Sequence, residues 1–318
     1  LKKSAHWYRP DGTSCHTVPN KSKPGESRAT SLTDARKLGL LPSVTTILDI
    51  LDKPQLTDWK MEQVTSEFHR RIGVIANGRE HADIAVAVLD IAHRAFDELH
   101  ADICERAFQQ VEDAADAGKL IHRAAELVLS GDLYNEDEQV FLPELKERFP
   151  MKTFIEPIRS FVREHDIHPT GHEVKVVNLV HGYAGTGDLP MTCKRGIGFG
   201  DWKTRKTKPG RPVKAYDTQL MQIGAYHGGH YSIVPRPGDF VAGFNLFIST
   251  TEPGRIEGVW YSSEEVAAAY EAFTHMAAIW RFLKGYDPRP QRGIGITADV
   301  PPPPAIRESG ASYASRPY

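Results

Sequence analysis

Cysteine is scarce in this chain. Cys15, Cys104 and Cys193 are the only three in 318 residues. An odd number of widely separated cysteines gives neither a disulfide framework nor a CxxC zinc site, so reduced thiols are expected. Long apolar runs are also missing, which excludes a spanning helix of about 18 residues or more. The opening residues, Leu1 to Gly12, lack the apolar stretch of a secretory leader, so we expect an intracellular protein with no membrane association. No internal repeat is evident. The glycines at 182, 185 and 187, and at 196, 198 and 200, lack the GxxxxGK[ST] spacing of a nucleotide-binding loop. His172-Glu173 does not begin an HExxH metalloprotease motif, because Val176 stands where the second histidine belongs. Net charge is nearly absent as well, at -2. That total excludes little, because a nucleic-acid-binding face depends on where charge is concentrated.

The distribution of charge is uneven. Between Lys194 and Lys214 stand eight basic residues against the single acid Asp201. With 40% hydrophobic residues the chain can build a substantial core, as expected for a soluble globular protein. Residues 1–40 are polar and weakly periodic, which predicts an irregular arm over the surface. At Leu41 to Leu48 an apolar segment opens, with Ser43 as a helix cap. From Asp58 to Ser130 apolar residues recur at three- and four-residue spacing, predicting long amphipathic helices. A further helical stretch, Glu136 to His165, breaks near Pro150. Residues 41–170 thus read as a helical region.

The periodicity changes at His172. Glu173 to Val180 has the alternation of a strand, and His181-Gly182-Tyr183 turns into a second short strand ending near Asp188. Ile197 to Lys203 reads as a third strand, Tyr216 to His227 as a helix, and Phe240 to Ser249 and Arg255 to Tyr261 as two more strands. A final helix, capped by Ser262 to Glu265, runs to Lys284. The order predicts an α/β core over 171–285, a mixed sheet flanked by helices. Residues 286–318, with four consecutive prolines from Pro301, read as a flexible tail.

The sharpest local feature is Gly185-Thr186-Gly187-Asp188, followed 13 residues after the aspartate by Asp201-Trp202-Lys203 on the next strand. Adjacent strands would bring the two acids together. Two ionised carboxylates held close repel each other, and a divalent cation stabilises such a pair. Hard oxygen ligands indicate Mg2+ or Mn2+. Lys203, two residues beyond Asp201, lies on the same strand face, where its ammonium can orient a water or neutralise a phosphate. This combination suits phosphodiester hydrolysis. The bland alternatives are a turn-ending aspartate for Asp188 and a surface ion pair for Asp201 and Lys203.

Asp188 followed by Asp201-x-Lys203 resembles the D...(D/E)xK signature of the PD-(D/E)xK nuclease superfamily, with Gly187 where the loose consensus has proline. Gly118 to Glu126 resembles the GxxxHxxxE helix of RecB-type nucleases, Gly185 to Asp188 their GTxD turn, and Gln219 to Tyr226 their QxxxY helix. The four occur in the family's order and cover about residues 118–280. Leu41 to Leu48 also resembles the opening of the phage and mitochondrial genome maintenance exonucleases. The resemblance implies a restriction-endonuclease-like core with an N-terminal helical region, and a DNA exonuclease acting on single strands or free ends. Asp188, Asp201, the backbone carbonyl of Trp202 and His122 would be metal ligands. Lys203 would be the catalytic lysine, with Glu126 orienting a water or a neighbouring group. Gln219 and Tyr226 would fix the lysine or contact DNA.

An acid such as Glu173 is common at that strand start in the family. Arg205, Lys206, Lys208 and Gln222 are expected to bind DNA. Three cysteines cannot supply the four ligands of the iron-sulfur cluster some relatives carry, so none is expected. Any motor, such as a helicase or recombination partner, would be a separate chain. The alternatives are a structure-specific endonuclease and a non-cleaving nucleic-acid-binding module.

Overall fold

The computed structural model describes residues 5–51, 61, 64–67, 105, 116–232, 234, 236 and 238–290. Most of the helical region expected over 58–130 lies outside these residues, as does the tail from 291. Its last part, 116–130, is helical.

The core is α/β. A five-stranded mixed sheet runs in the order Ile256–Tyr261, Val241–Ser249, Gly196–Arg205, Leu189–Cys193 and His168–Pro169. Gly196–Arg205 and Val241–Ser249 are parallel, and the other neighbours are antiparallel. A parallel pair needs a crossover connection. Here it carries the helix Asp217–His230. Val241–Ser249 is buried at every position, as its nearly continuous apolar sequence requires of a strand covered on both faces.

Alternation sends successive residues of the central strand to opposite faces. Phe199 enters one core with Ile223, Tyr226, Val266 and Phe273. Trp202 enters another with Ile121, Ala125, Phe154 and Leu246. Helices Asp217–His230 and Ser263–Lys284 therefore cover one face, and the 116–130 helix and Lys152–Glu164 cover the other. Ser262 accepts from the Glu265 amide and Glu265 answers on the Ser262 amide, forming the expected capping box.

Three expectations change. Residues 5–40 are not an irregular surface arm. They form Trp7–Tyr8, paired to Leu41–Pro42, a hairpin of Thr17–Pro19 and Ser27–Ala29, and the helix Leu32–Leu38. Trp7 is 1% exposed and donates its indole N–H to the Thr30 carbonyl, so one large aromatic fastens a polar segment to the core. Residues 136–150 are not helical. Gln139–Leu142 and Glu147–Pro150 make a hairpin, with Val140 and Leu142 buried on alternate positions and Lys146 at φ 56 in its turn. The stretch after Asp188 holds an additional strand, Leu189–Cys193, which carries Asp188 alongside the central strand.

Candidate active centre

Leu189 pairs with Gly200 in the antiparallel register, so Asp188, one residue earlier, comes level with Asp201. The bend is fastened by its own backbone. The Trp202 amide donates to Asp188 Oδ2 at 3.1 Å, and the Glu173 amide donates to the Asp188 carbonyl at 3.0 Å. Glu173 holds φ 44, a conformation uncommon for a side-chain-bearing residue, at the point where the hairpin strand Val174–Asn178 begins.

Asp201 is 1% exposed, and both of its oxygens are engaged. Lys203 Nζ lies 2.8 Å from Oδ1 and 2.6 Å from Oδ2, and Asn245 Nδ2 donates to Oδ2 at 2.8 Å. The Asn245 carbonyl oxygen accepts from the Tyr261 hydroxyl at 2.6 Å. Burial alone would lower the Lys203 pKa, but Asp201 and Asp188 outweigh it and hold the ammonium above its usual value. Asp188 moves the other way. Burial and the neighbouring Asp201 raise its carboxyl well above the carboxylate range, against the opposing pull of Lys203.

The 116–130 helix runs against this edge and presents one face at four-residue intervals. Gly118 lies against Thr204, where a Cβ would come within 2.8 Å of the hydroxyl oxygen. The missing side chain lets the helix approach closely. One turn on, His122 Nδ1 lies 3.8 Å from Asp188 Oδ2, and its ring bonds the Trp202 backbone. Burial pushes His122 down to about 4, so the imidazole is neutral at physiological pH. A further turn on, Glu126 shares a hydrogen bond with Glu173. Burial and that second carboxyl push Glu126 up to about 7.

Tyr226 closes the opposite side. Its ring lies over the Gly185 to Gly187 strand, and its hydroxyl accepts from Gln222 Nε2 at 2.8 Å. Burial, Asp201 and Asp188 raise its pKa well above 10, so it stays protonated. The glycines of the turn are explained by packing: a Cβ at Gly187 would come within 2.6 Å of Phe199, and one at Gly185 within 2.9 Å of Tyr226. Tyr8, from the N-terminal segment, reaches Thr186 at 3.0 Å.

The structure thus gathers His122, Asp188, Asp201 and Lys203, with Glu126, Glu173 and Tyr226 around them. Other expected residues make contacts of their own. Gln219 accepts from the Tyr216 amide as a helix cap, and Gln222 serves Tyr226. Arg205 donates to the Lys214 carbonyl and the Tyr216 hydroxyl and lies over the Tyr216 and Phe247 rings. Lys206 stands 3.9 Å from Glu144, and Lys208 is exposed. Sequence reasoning missed Asn245 and Tyr261. Asn245 is the one amide in the apolar strand Val241–Ser249, and that anomaly was the available signal.

Among the described residues, no three His, Cys, Asp or Glu side chains form a finished metal cage. The nearest oxygens, those of Asp201, carry Lys203 and Asn245 instead. The donors fit a hard divalent cation in kind, offering two adjacent carboxylates, a neutral imidazole and a backbone carbonyl at Trp202. Burial first, and Asp201 second, raise the Asp188 carboxyl, and a bound cation would favour its ionised form. Among the described residues, no helix is long and apolar enough to cross a membrane. Cys15 and Cys193 are free thiols, while Cys104 lies outside the described residues. No family model and no curated protein matches the sequence.

Proposed function

We propose that this chain is a Mg2+- or Mn2+-dependent DNA nuclease of the PD-(D/E)xK kind, hydrolysing phosphodiester bonds in single-stranded DNA or at DNA ends. One observation carries the reading: Asp188 and Asp201 lie side by side in a largely enclosed site, with Lys203 on Asp201 and a neutral His122 at Asp188. Asp188, Asp201 and the Trp202 carbonyl would hold the cation, and His122 would add a nitrogen donor. When bound, the cation supplies charge neutralisation at the scissile phosphate and makes a water more acidic.

The chain's own groups do the remainder. Asn245 fixes the Asp201 carboxylate through its bond to Oδ2. Lys203, released from part of its bond to Asp201, places an ammonium where negative charge grows on the phosphate or the attacking water. Glu126, raised to about 7 by burial and Glu173, lies about one helical turn away and can take up or return a proton near the site. The overall arrangement of a central strand bearing Asp201 and Lys203, with a crossover helix behind it, supports the restriction-endonuclease-like core.

The test is incubation of end-labelled linear and closed circular DNA, single-stranded and duplex, with Mg2+ or Mn2+. Linear DNA should be degraded, circles should survive, and Asp188→Ala and Asp201→Asn should both abolish cutting while the protein stays folded. Cutting of circles would make the enzyme an endonuclease. Binding without cleavage of any substrate would overturn the enzymatic reading in favour of a DNA-binding module.

A further inference from the structure

Beyond the central strand lies a second feature that the catalytic centre does not use. Residues 206–216 form a loop whose main chain is held by two arginines. Arg205 donates to the Lys214 carbonyl at 2.7 Å. Arg255 donates to the Lys208 carbonyl at 3.1 Å and to the Arg211 carbonyl at 2.5 Å. Arg255 is itself held by Glu252 and Glu257, and Glu257 also accepts from the Val213 amide. With these carbonyls turned onto the arginines, the loop borders an open surface hollow of about 270 Å³ lined by Arg205, Lys206, Lys208, Arg211, Lys214 and Tyr216. Among the described residues, no carboxylate pairs with Lys208, Arg211 or Lys214, and all three are exposed.

Two quantities narrow the ligand. A phosphodiester carries one negative charge, whereas a phosphomonoester carries about 1.5 to 2 at neutral pH and offers three acceptor oxygens. Several unpaired cations around one hollow match the second. Position is the other constraint. Asp201, Lys203 and Arg205 alternate onto one strand face, and Arg205 lies about 7 Å beyond Lys203 along the strand. Arg205, which lines the hollow, therefore shares a strand face with Lys203 about one nucleotide's length away.

We infer that this loop is a binding pocket for the terminal phosphomonoester of a DNA strand, anchoring the end while a neighbouring phosphodiester occupies the Asp188–Asp201–Lys203 centre. The inference rests on the nuclease reading for its substrate, but it concerns binding and not chemistry. It also transfers the anchoring role from Arg205, whose guanidinium holds the loop, to Lys208, Arg211 and Lys214.

The experiment is fluorescence anisotropy in EDTA, where no cleavage occurs. It uses one single-stranded oligonucleotide in four forms: 5′-phosphoryl, 3′-phosphoryl, both ends hydroxyl, and circular. The parent protein should bind one phosphorylated form about ten-fold more tightly than the hydroxyl form, the loss expected for a charge-assisted hydrogen-bonding site. Lys208→Gln combined with Arg211→Gln should erase that preference, so that all four forms bind alike at whatever affinity the loss of two cations leaves. The main-chain bonds to Arg255 do not involve the substituted side chains, and an unchanged urea midpoint checks that the loop frame survives.

Equal affinity of the parent for all four forms would overturn the inference, as would a preference that persists in the double variant. Inorganic phosphate is the separate arm. If phosphate binds the parent and not the variant, yet no oligonucleotide form is preferred, the pocket takes free phosphate and the DNA-end assignment fails. A terminal-phosphate preference in a protein that never cuts DNA would uphold the pocket and refute the nuclease reading.

Discussion

Asn245 donates its side-chain amide to Asp201 Oδ2 at 2.8 Å across two parallel strands, at residues that are direct register partners. Both are shut off from solvent, and the Asn245 oxygen takes the Tyr261 hydroxyl. Asn245→Ala strips a partner from each neighbour at once. A buried group left unpaired costs about 1 to 3 kcal/mol. Urea unfolding of Asn245→Ala should show a loss of that size, and Asn245→Asp should lose more, since it adds a second acid beside Asp201. A variant as stable as the parent would mean the amide bears no such bond.

Lys203 differs from the other basic residues of its neighbourhood in being fixed on Asp201. A group that stabilises charge appearing only at the transition state affects rate more than binding, typically by about 100-fold or more when removed. Lys203→Ala should therefore reduce single-turnover cleavage steeply with little change in DNA affinity measured in calcium. Lys203→Arg should rescue only in part, because the planar guanidinium cannot occupy the same point. Weakened affinity with an intact saturated rate would make Lys203 a phosphate contact.

Glu126 has a signature in pH. Burial and Glu173 hold its carboxyl at about 7 in the folded protein, against an ordinary 4.5. The folded state thus keeps a proton that the unfolded chain has given up. Its contribution to stability is complete below about 4.5 and is lost as the pH rises through about 7. In metal-free buffer, the urea midpoint of the parent should fall across that window more steeply than that of Glu126→Gln, whose amide does not ionise. Superimposable slopes would show that Glu126 does not hold its proton in this way.

Gly187 is a matter of space. A Cβ there would come within 2.6 Å of the Phe199 ring, which Tyr226 and Tyr231 flank. Overpacking of this type costs about 1 to 3 kcal/mol. Gly187→Ala should be destabilised by that amount in urea, and Phe199→Leu in the same chain should recover part of it. Equal destabilisation of the single and double variants would place the strain elsewhere.

Much of the centre was legible because its signals are local. Asp201-x-Lys203 needs only strand alternation, whereas His122 and Glu126 were singled out by the resemblance of Gly118 to Glu126 to the GxxxHxxxE helix, helical spacing then placing them on one face. The Ser262 cap is written in four consecutive residues. What escaped depends on distant partners or on ambiguous short runs. Leu189–Cys193 contains Pro190 and no β-branched residue except Thr192, so nothing in its composition announces a strand. Val140 to Leu142 is a brief apolar run that suits either a helix or a hairpin, and tertiary pairing with Glu147–Pro150 decides it. Polar composition concealed the packing role of residues 5–40, because burying Trp7 takes one residue and leaves the average unchanged. The use of Arg205 as a loop staple follows from Lys214 and Tyr216, which no pattern around Arg205 reveals.

The parallel pairing of Gly196–Arg205 with Val241–Ser249 also sets when the centre can exist. A chain emerging in sequence order can form the antiparallel ladder between Leu189–Cys193 and Gly196–Arg205 early, and with it Asp188 beside Asp201. The Asn245 amide must wait for the crossover helix and the strand behind it, and such non-local contacts form slowly. Until then Asp201 stands without its buried amide. The two acids are therefore brought together by a local hairpin, while the amide that orients Asp201 depends on a strand some forty residues further along the chain.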